Sequence, residues 1–105
     1  MKPGSRAVKP IRFHPEAEAE YLGALTYYAG ISESLGKSVY RYMEKLLADV
    51  RSHPQLFRMF DPPARRHFAS RFPYALIYFD QPEWIWIVAV SHFKQRPGYW
   101  KERLI

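Results

Sequence analysis

The stretch Trp84–Leu104, WIWIVAVSHFKQRPGYWKERL, decides how this chain is read. Its first half alternates like a strand, yet both alternating sets are apolar: Trp84, Trp86, Val88 and Val90 against Ile85, Ile87 and Ala89. A strand apolar on both faces belongs in the middle of a sheet that is covered on both sides. Its second half brings His92, Lys94 and Arg96, then Tyr99 and Trp100. A central strand that ends in cationic and aromatic groups can serve as a rigid arm holding a site.

Working outward, the segments before it supply the rest of a sheet. Tyr74–Asp80, YALIYFD, is rich in aromatic and β-branched residues and reads as a strand. Gln81 and Pro82 make the turn between the two. Arg65–Ser70 reads as another strand, and Arg71–Pro73 breaks or bulges it. The run Pro54–Ala64, with three prolines, reads as a surface loop. Val8–Phe13 reads as a short strand that Pro10 confines to an edge or to the strand's start.

Two helices fill the interval. Pro15 suits a first helical position, and Glu16, Glu18 and Glu20 complement the positive end of the helix dipole. Leu22, Leu25 and Tyr28 follow at helical spacing until Gly30 and Ser32 interrupt. Ser32 or Ser34 caps a second helix, whose stripe Leu35, Val39, Tyr42, Met43, Leu46, Leu47, Val50 runs to His53 before Pro54. The short link makes an antiparallel hairpin. Arg96–Ile105 closes the chain as a short helix with Pro97 near its start.

The expected fold is therefore α+β, in the order β-α-α-β-β-β. A helix hairpin packs on a small, mainly antiparallel sheet, with the first strand parallel to the last because a helical crossover separates them. Residues 8–105 are expected to form one domain behind a flexible lead-in at residues 1–7. One hairpin covers only one sheet face. Either the C-terminal segment folds back over the other or a partner does; the expectation is a partner.

Composition excludes several classes. The 105 residues contain no cysteine, which removes disulfides and thiolate chemistry and fits a cytoplasmic location. No run of about 18 apolar residues suggests a membrane span, and MKPGSRAVKP lacks the apolar core of a signal peptide. His14, His53, His67 and His92 are scattered, so no metal site is expected. The glycines form no phosphate loop, and no cofactor is expected. The net charge is +6, and the excess lies in residues 51–105, with nine bases against four acids. Such a field suits nucleic acid, an acidic protein partner or no specific partner equally.

His92 is the candidate for proton transfer, because imidazole titrates near neutral pH and the side chain emerges at a strand end. Arg66, Arg71, Lys94 and Arg96 can neutralise a phosphate, and Tyr99 can donate a hydrogen bond. The structural alternative stands beside this reading: His92 bonds the backbone, Tyr99 and Trp100 fold over the sheet, and most other aromatics are core.

The pieces HPEAEAEYLGALTYY, RRHFASRFPYALIY and AVSHFKQRPGYWKERL, in this order and spacing, resemble the RelE/ParE superfamily of bacterial type II toxins, in particular its ParE-like, plasmid-stabilization branch. The resemblance runs from about Phe13 to Leu104. It implies a cytoplasmic, growth-inhibiting toxin neutralised by a cognate antitoxin in a hetero-oligomer. It implies action on DNA gyrase without catalysis, or, alternatively, ribosome-dependent cleavage of mRNA; an inactive homologue is the third reading. RelE-type ribonucleases carry an arginine in the strand matched by Tyr74–Tyr78, and here Ala75 stands in its place. If the chain is a ribonuclease, its catalytic set is His92, Arg71, Lys94, Arg96 and Tyr99. In either case Arg65, Arg66, Arg71, Lys94 and Arg96 form the basic surface for target or antitoxin.

Overall fold

A computed structural model describes residues 8–105; the expected lead-in lies outside the described residues. The elements are β1 (Ile11–Phe13), α1 (Pro15–Ile31), α2 (Glu33–Ser52), β2 (Met59–Asp61), β3 (Ala64–Phe68), β4 (Tyr74–Asp80), β5 (Ile85–His92) and a C-terminal 3-10 helix (Tyr99–Leu104). The five-stranded sheet has the order β1-β5-β4-β3-β2. β1 runs parallel to β5, and every other pairing is antiparallel. This is the α+β arrangement expected from the sequence, with one added strand. β2 lies within the proline-rich run read as a loop. Its three residues pair with β3 through Met59–Arg65 and Asp61–Ala64, across a register shift.

The caps explain the helix limits. The His14 ring accepts the Glu16 amide at 3.0 Å, and Pro15 opens α1. The Ser32 side chain accepts the Leu35 amide at 3.0 Å and starts α2, the first of the two caps considered. Gly30 does not interrupt α1, which runs on to Ile31. The hairpin closes tightly because Gly36 is buried against Ala29; a Cβ at Gly36 would come within 2.8 Å of the Ala29 backbone. Further along, the Tyr21 hydroxyl donates to Glu44 at 2.6 Å and ties α1 to α2.

The hairpin covers one sheet face. Ala17 and Tyr21 of α1 meet Val39, Met43, Leu46, Leu47 and Val50 of α2 over Leu76, Tyr78, Ile85, Ile87 and Val90. Tyr78 is fully buried and its hydroxyl donates to the Pro54 carbonyl at 2.7 Å; burial pushes its pKa up to about 12.

The other face departs from expectation. Strict alternation predicts Val88 and Val90 on the same side. Instead Ile77 opposes Ala89 while Tyr78 opposes Ile87, so Val88 is an extra residue and β5 bulges. The bulge sends Val88 and Ala89 together to the second face and returns Val90 to the helix face. The chain covers much of this second face itself. The C-terminal 3-10 helix folds back, and Trp100, 3% exposed, packs with Ala64, Ile77, Val88 and Ala89, flanked by Phe60, Phe79, Trp86 and Tyr99. The expected partner is therefore not required to bury these residues. Gly98, at φ 75°, supplies the left-handed turn that starts the fold-back.

A polar clasp holds that cover in place. β1 ends at Phe13, and its pairing with β5 ends at Ile87, with the His14 amide donating to the Ile87 carbonyl. Beyond it, Glu20 of α1 accepts the Val90 amide at 2.9 Å, and Arg103 donates to the Val88 carbonyl at 2.9 Å. The two side chains also bond each other bidentately, at 2.9 and 2.7 Å, and the Tyr99 hydroxyl donates to Glu20 at 2.7 Å. An ion pair thus substitutes for the missing strand. The hydrogen bonds that Arg103 donates to Glu20 are the main reason that the Arg103 pKa is raised, and burial is the main reason that the Tyr99 pKa is raised.

Two outcomes follow for equilibrium unfolding. Trp100→Ala, which empties the second core, is expected to cost about 3–5 kcal/mol, measured by urea denaturation. A loss under about 1 kcal/mol would mean that the cover is not packed in solution. Tyrosines with raised folded pKa values lose their stabilising contribution as pH rises from the ordinary value of 10.0 through the folded value. The melting temperature should fall above about pH 10, and Tyr99→Phe should flatten that alkaline limb. An unchanged limb in the variant would remove Tyr99 as a contributor.

Candidate functional site

The fold-back leaves a groove of about 480 Å³ on the second face. Its floor is Ala75 and Ile77 of β4, one side is Arg66 and Phe68 of β3, and the other runs through His92, Phe93, Arg96 and Tyr99 to Trp100. Strand alternation decides which arginine takes part. Arg66 pairs with Ile77 and Phe68 with Ala75, so they share the groove face. Arg65 and His67 alternate to the helix side. Arg65 donates to the Phe57 carbonyl at 2.8 Å and to the Gln55 carbonyl at 3.2 Å, holding the loop before β2. His67 stacks on Phe57 with centroids 3.8 Å apart and bonds Asp49 at 3.1 Å.

The Arg66 guanidinium lies 4.1 Å from the Phe60 ring centroid and 4.6 Å from that of Phe68. Flanking rings fix its plane and leave its N–H groups for a ligand, because among the described residues no carboxylate forms an ion pair with it. Phe68 continues edge-on to Phe93 at 5.8 Å, and both rings are exposed. These phenylalanines were not singled out in the sequence. Their signal was the period: Phe68 falls two residues after Arg66 on one strand face.

His92 sits opposite Tyr74, edge-on at 5.1 Å, between this groove and a second one of about 460 Å³ lined by Tyr27, Tyr28 and Tyr74. Its Nδ1 accepts the Lys94 amide at 3.0 Å. Assigned from that bond, the neutral ring carries its proton on Nε2 and presents a donor, with the Nδ1 lone pair already engaged. Such a ring suits holding an anion better than taking a proton from one.

The structure thus brings four of the proposed residues, Arg66, His92, Arg96 and Tyr99, to one groove. It places three elsewhere: Arg65 on the helix side, Arg71 in the turn beside Phe72 with its guanidinium 6.0 Å from that ring, and Lys94 exposed outside the groove lining. The Tyr99 hydroxyl already donates to Glu20. Among the described residues no group of three or more His, Asp or Glu side chains could hold a metal ion, and no helix is long and apolar enough to cross a membrane.

No protein-family model matches the sequence, and no curated protein matches it. Among solved structures, the chain is similar to one described as the chromosomal ParDE TA system from P. aeruginosa, with 13% identity, a TM-score of 0.61, and coverage of 81% of this chain and 96% of that one. At that identity the likeness establishes a shared fold: a helix hairpin on one face of a mixed sheet that a chain of a toxin–antitoxin system also adopts.

Proposed function

We propose that this chain is the toxin of a bacterial type II toxin–antitoxin pair, acting in the cytoplasm as a single domain over residues 8–105. It is held inactive in a complex with its antitoxin, and when free it inhibits growth by binding DNA gyrase. The observation that carries the reading is the chemistry of the groove on a fold shared with a ParDE chain. The groove offers one fixed guanidinium, Arg66, the exposed base Arg96 and aromatic rings, but little acid–base machinery. Ala75 lies on its floor in place of a clamp arginine, the Tyr99 hydroxyl is held by Glu20, and the free lone pair of His92 is held by the backbone. Transition-state stabilisation needs donors aimed at developing charge, and proton transfer needs an accessible base. Inhibition by binding needs only a complementary surface, which Arg66 between two rings and exposed Phe68 and Phe93 provide.

The second reading is a ribosome-dependent mRNA endoribonuclease. It is favoured by the convergence of Arg66, Arg96 and His92 on the same groove. An inactive homologue that only binds the antitoxin is the third.

Expression without antitoxin separates them. Gyrase inhibition predicts arrested growth, loss of negative supercoiling and DNA damage with intact mRNA. A ribonuclease predicts rapid cleavage of translated mRNA with supercoiling unchanged, and that result would overturn the gyrase reading. Silence in both readouts, with folded and abundant protein, would favour the inactive homologue. On the gyrase reading, Arg66→Ala weakens inhibition about tenfold or more, the loss of one charge-assisted bond of about 1.5–3 kcal/mol, while His92→Ala has a small effect.

A further inference from the structure

The second groove, of about 460 Å³ between α1 and the sheet, has no part in the reading given above. Tyr27 and Tyr28 of α1 and Tyr74 of β4 line it, and His92 closes the end it shares with the first groove. Neighbouring rings stand close to perpendicular: Tyr27 to Tyr28 at 83° and 5.0 Å, Tyr28 to Tyr74 at 72° and 6.4 Å, Tyr74 to His92 at 87° and 5.1 Å. Rings so disposed make the walls of a box rather than a stack. The hydroxyls differ from those of the structural tyrosines. Tyr21, Tyr42, Tyr78 and Tyr99 each bond another residue through the phenol oxygen, whereas among the described residues the hydroxyls of Tyr27, Tyr28 and Tyr74 bond none. The floor includes Gly23, in the middle of α1, where glycine weakens a helix relative to alanine. Gly36 is forced by Ala29, Gly98 by its φ of 75°, and Gly30 falls in the last helical turn. Gly23 has no such reason: a Cβ there would meet nothing within 4 Å. What its missing side chain does is keep the groove open.

Charge decides the occupant. In a chain of net charge +6, no lysine or arginine lines this groove, so an anion finds no partner there. Ring faces and phenol oxygens offer negative potential instead. Glu20 lines one side, but Arg103 already balances its charge, so the rings and hydroxyls are what remain for a ligand. The chain itself uses this chemistry twice: the Arg12 guanidinium lies 4.5 Å from the Trp84 ring centroid, and that of Arg103 lies 4.9 Å from that of Tyr99. A guanidinium suits such a box better than an ammonium, because it is planar, less strongly hydrated and donates in its own plane. We propose that the groove receives one arginine side chain of a protein partner, its guanidinium against the tyrosine rings and its N–H groups donating to their free hydroxyls. The chemistry of this groove is independent of the toxin reading, which rests on the first one.

Acetyl-Gly-Arg-Gly amide, titrated into the full chain and followed by NMR, is the probe. It should bind saturably, with the arginine side-chain protons moved upfield by the ring currents of the box. Replacing its arginine by citrulline, which has the same shape without the charge, should weaken binding about fivefold or more. Replacing it by lysine should also weaken binding. Gly23→Leu should abolish it by filling the groove; leucine is the better helix former and displaces no neighbour, so the variant should keep the wild-type circular-dichroism spectrum. Tyr27→Leu, at a ring 63% exposed, should weaken binding without loss of stability. Equal affinity for the citrulline or lysine peptide would overturn the assignment of a guanidinium. Binding that Gly23→Leu leaves unchanged would overturn the assignment of the groove. The absence of saturable binding, or tighter binding of uridine monophosphate that Gly23→Leu removes, would overturn both.

Discussion

The structure depends on one carboxylate. Glu20 reaches from α1 to the edge of the central strand where β1 has ended, and there it meets the Val90 amide, the Arg103 guanidinium and the Tyr99 hydroxyl. Its side chain is 19% exposed and that of Arg103 is 8% exposed. Removing two charges from water is costly, so such a pair contributes less net stability than its geometry suggests. Its consequence is position. With Arg103 held to the Val88 carbonyl, the C-terminal segment has one place to lie, and Trp100 falls on the apolar patch that the bulge exposes. The sheet gains its second cover, and the space left between cover and β3 is the groove.

The groove also changes how the net charge is read. Not every base in the C-terminal half is available to a partner. Arg65 is turned to loop carbonyls, Lys101 pairs with Asp61 at 2.7 Å, and Arg103 pairs with Glu20. What remains on the groove is Arg66, fixed between rings, and exposed Arg96. One immobilised guanidinium beside exposed aromatics favours a specific surface over a diffuse field, because an anchor held in place loses less entropy on binding.

Much of the fold was legible in the sequence. The apolar run Ile85–Val90 announced a central strand, prolines and serines marked the helix limits, and the crossover dictated the parallel pairing of β1 with β5. The bulge was not legible, because Val88, Ala89 and Val90 are all apolar and fit either face without penalty. β2 was hidden by its length of three residues and its flanking prolines. The clasp left a trace: Glu20, read from the sequence as complementing the helix dipole, lies beyond the first turn and is the one charged residue from Ala19 to Ser32, a carboxylate alone in an apolar helix. At the site, the sequence could gather the bases but not sort them. Arg65 and Arg66 are neighbours that a pleat sends to opposite faces, and whether Arg71 and Lys94 reach the groove depends on turns whose course no periodicity records.

The role of Glu20 is open to direct measurement by native-state hydrogen exchange at single amides in Glu20→Ala. The Val90 amide has Glu20 as its acceptor, whereas the Ile85 amide donates to Pro10 and the His14 amide to Ile87. If the carboxylate stands in for a strand, Val90 loses its protection in the variant while Ile85 and His14 keep theirs, and the Trp100 indole becomes accessible. Unchanged protection at Val90, with Trp100 still buried, would contradict the account.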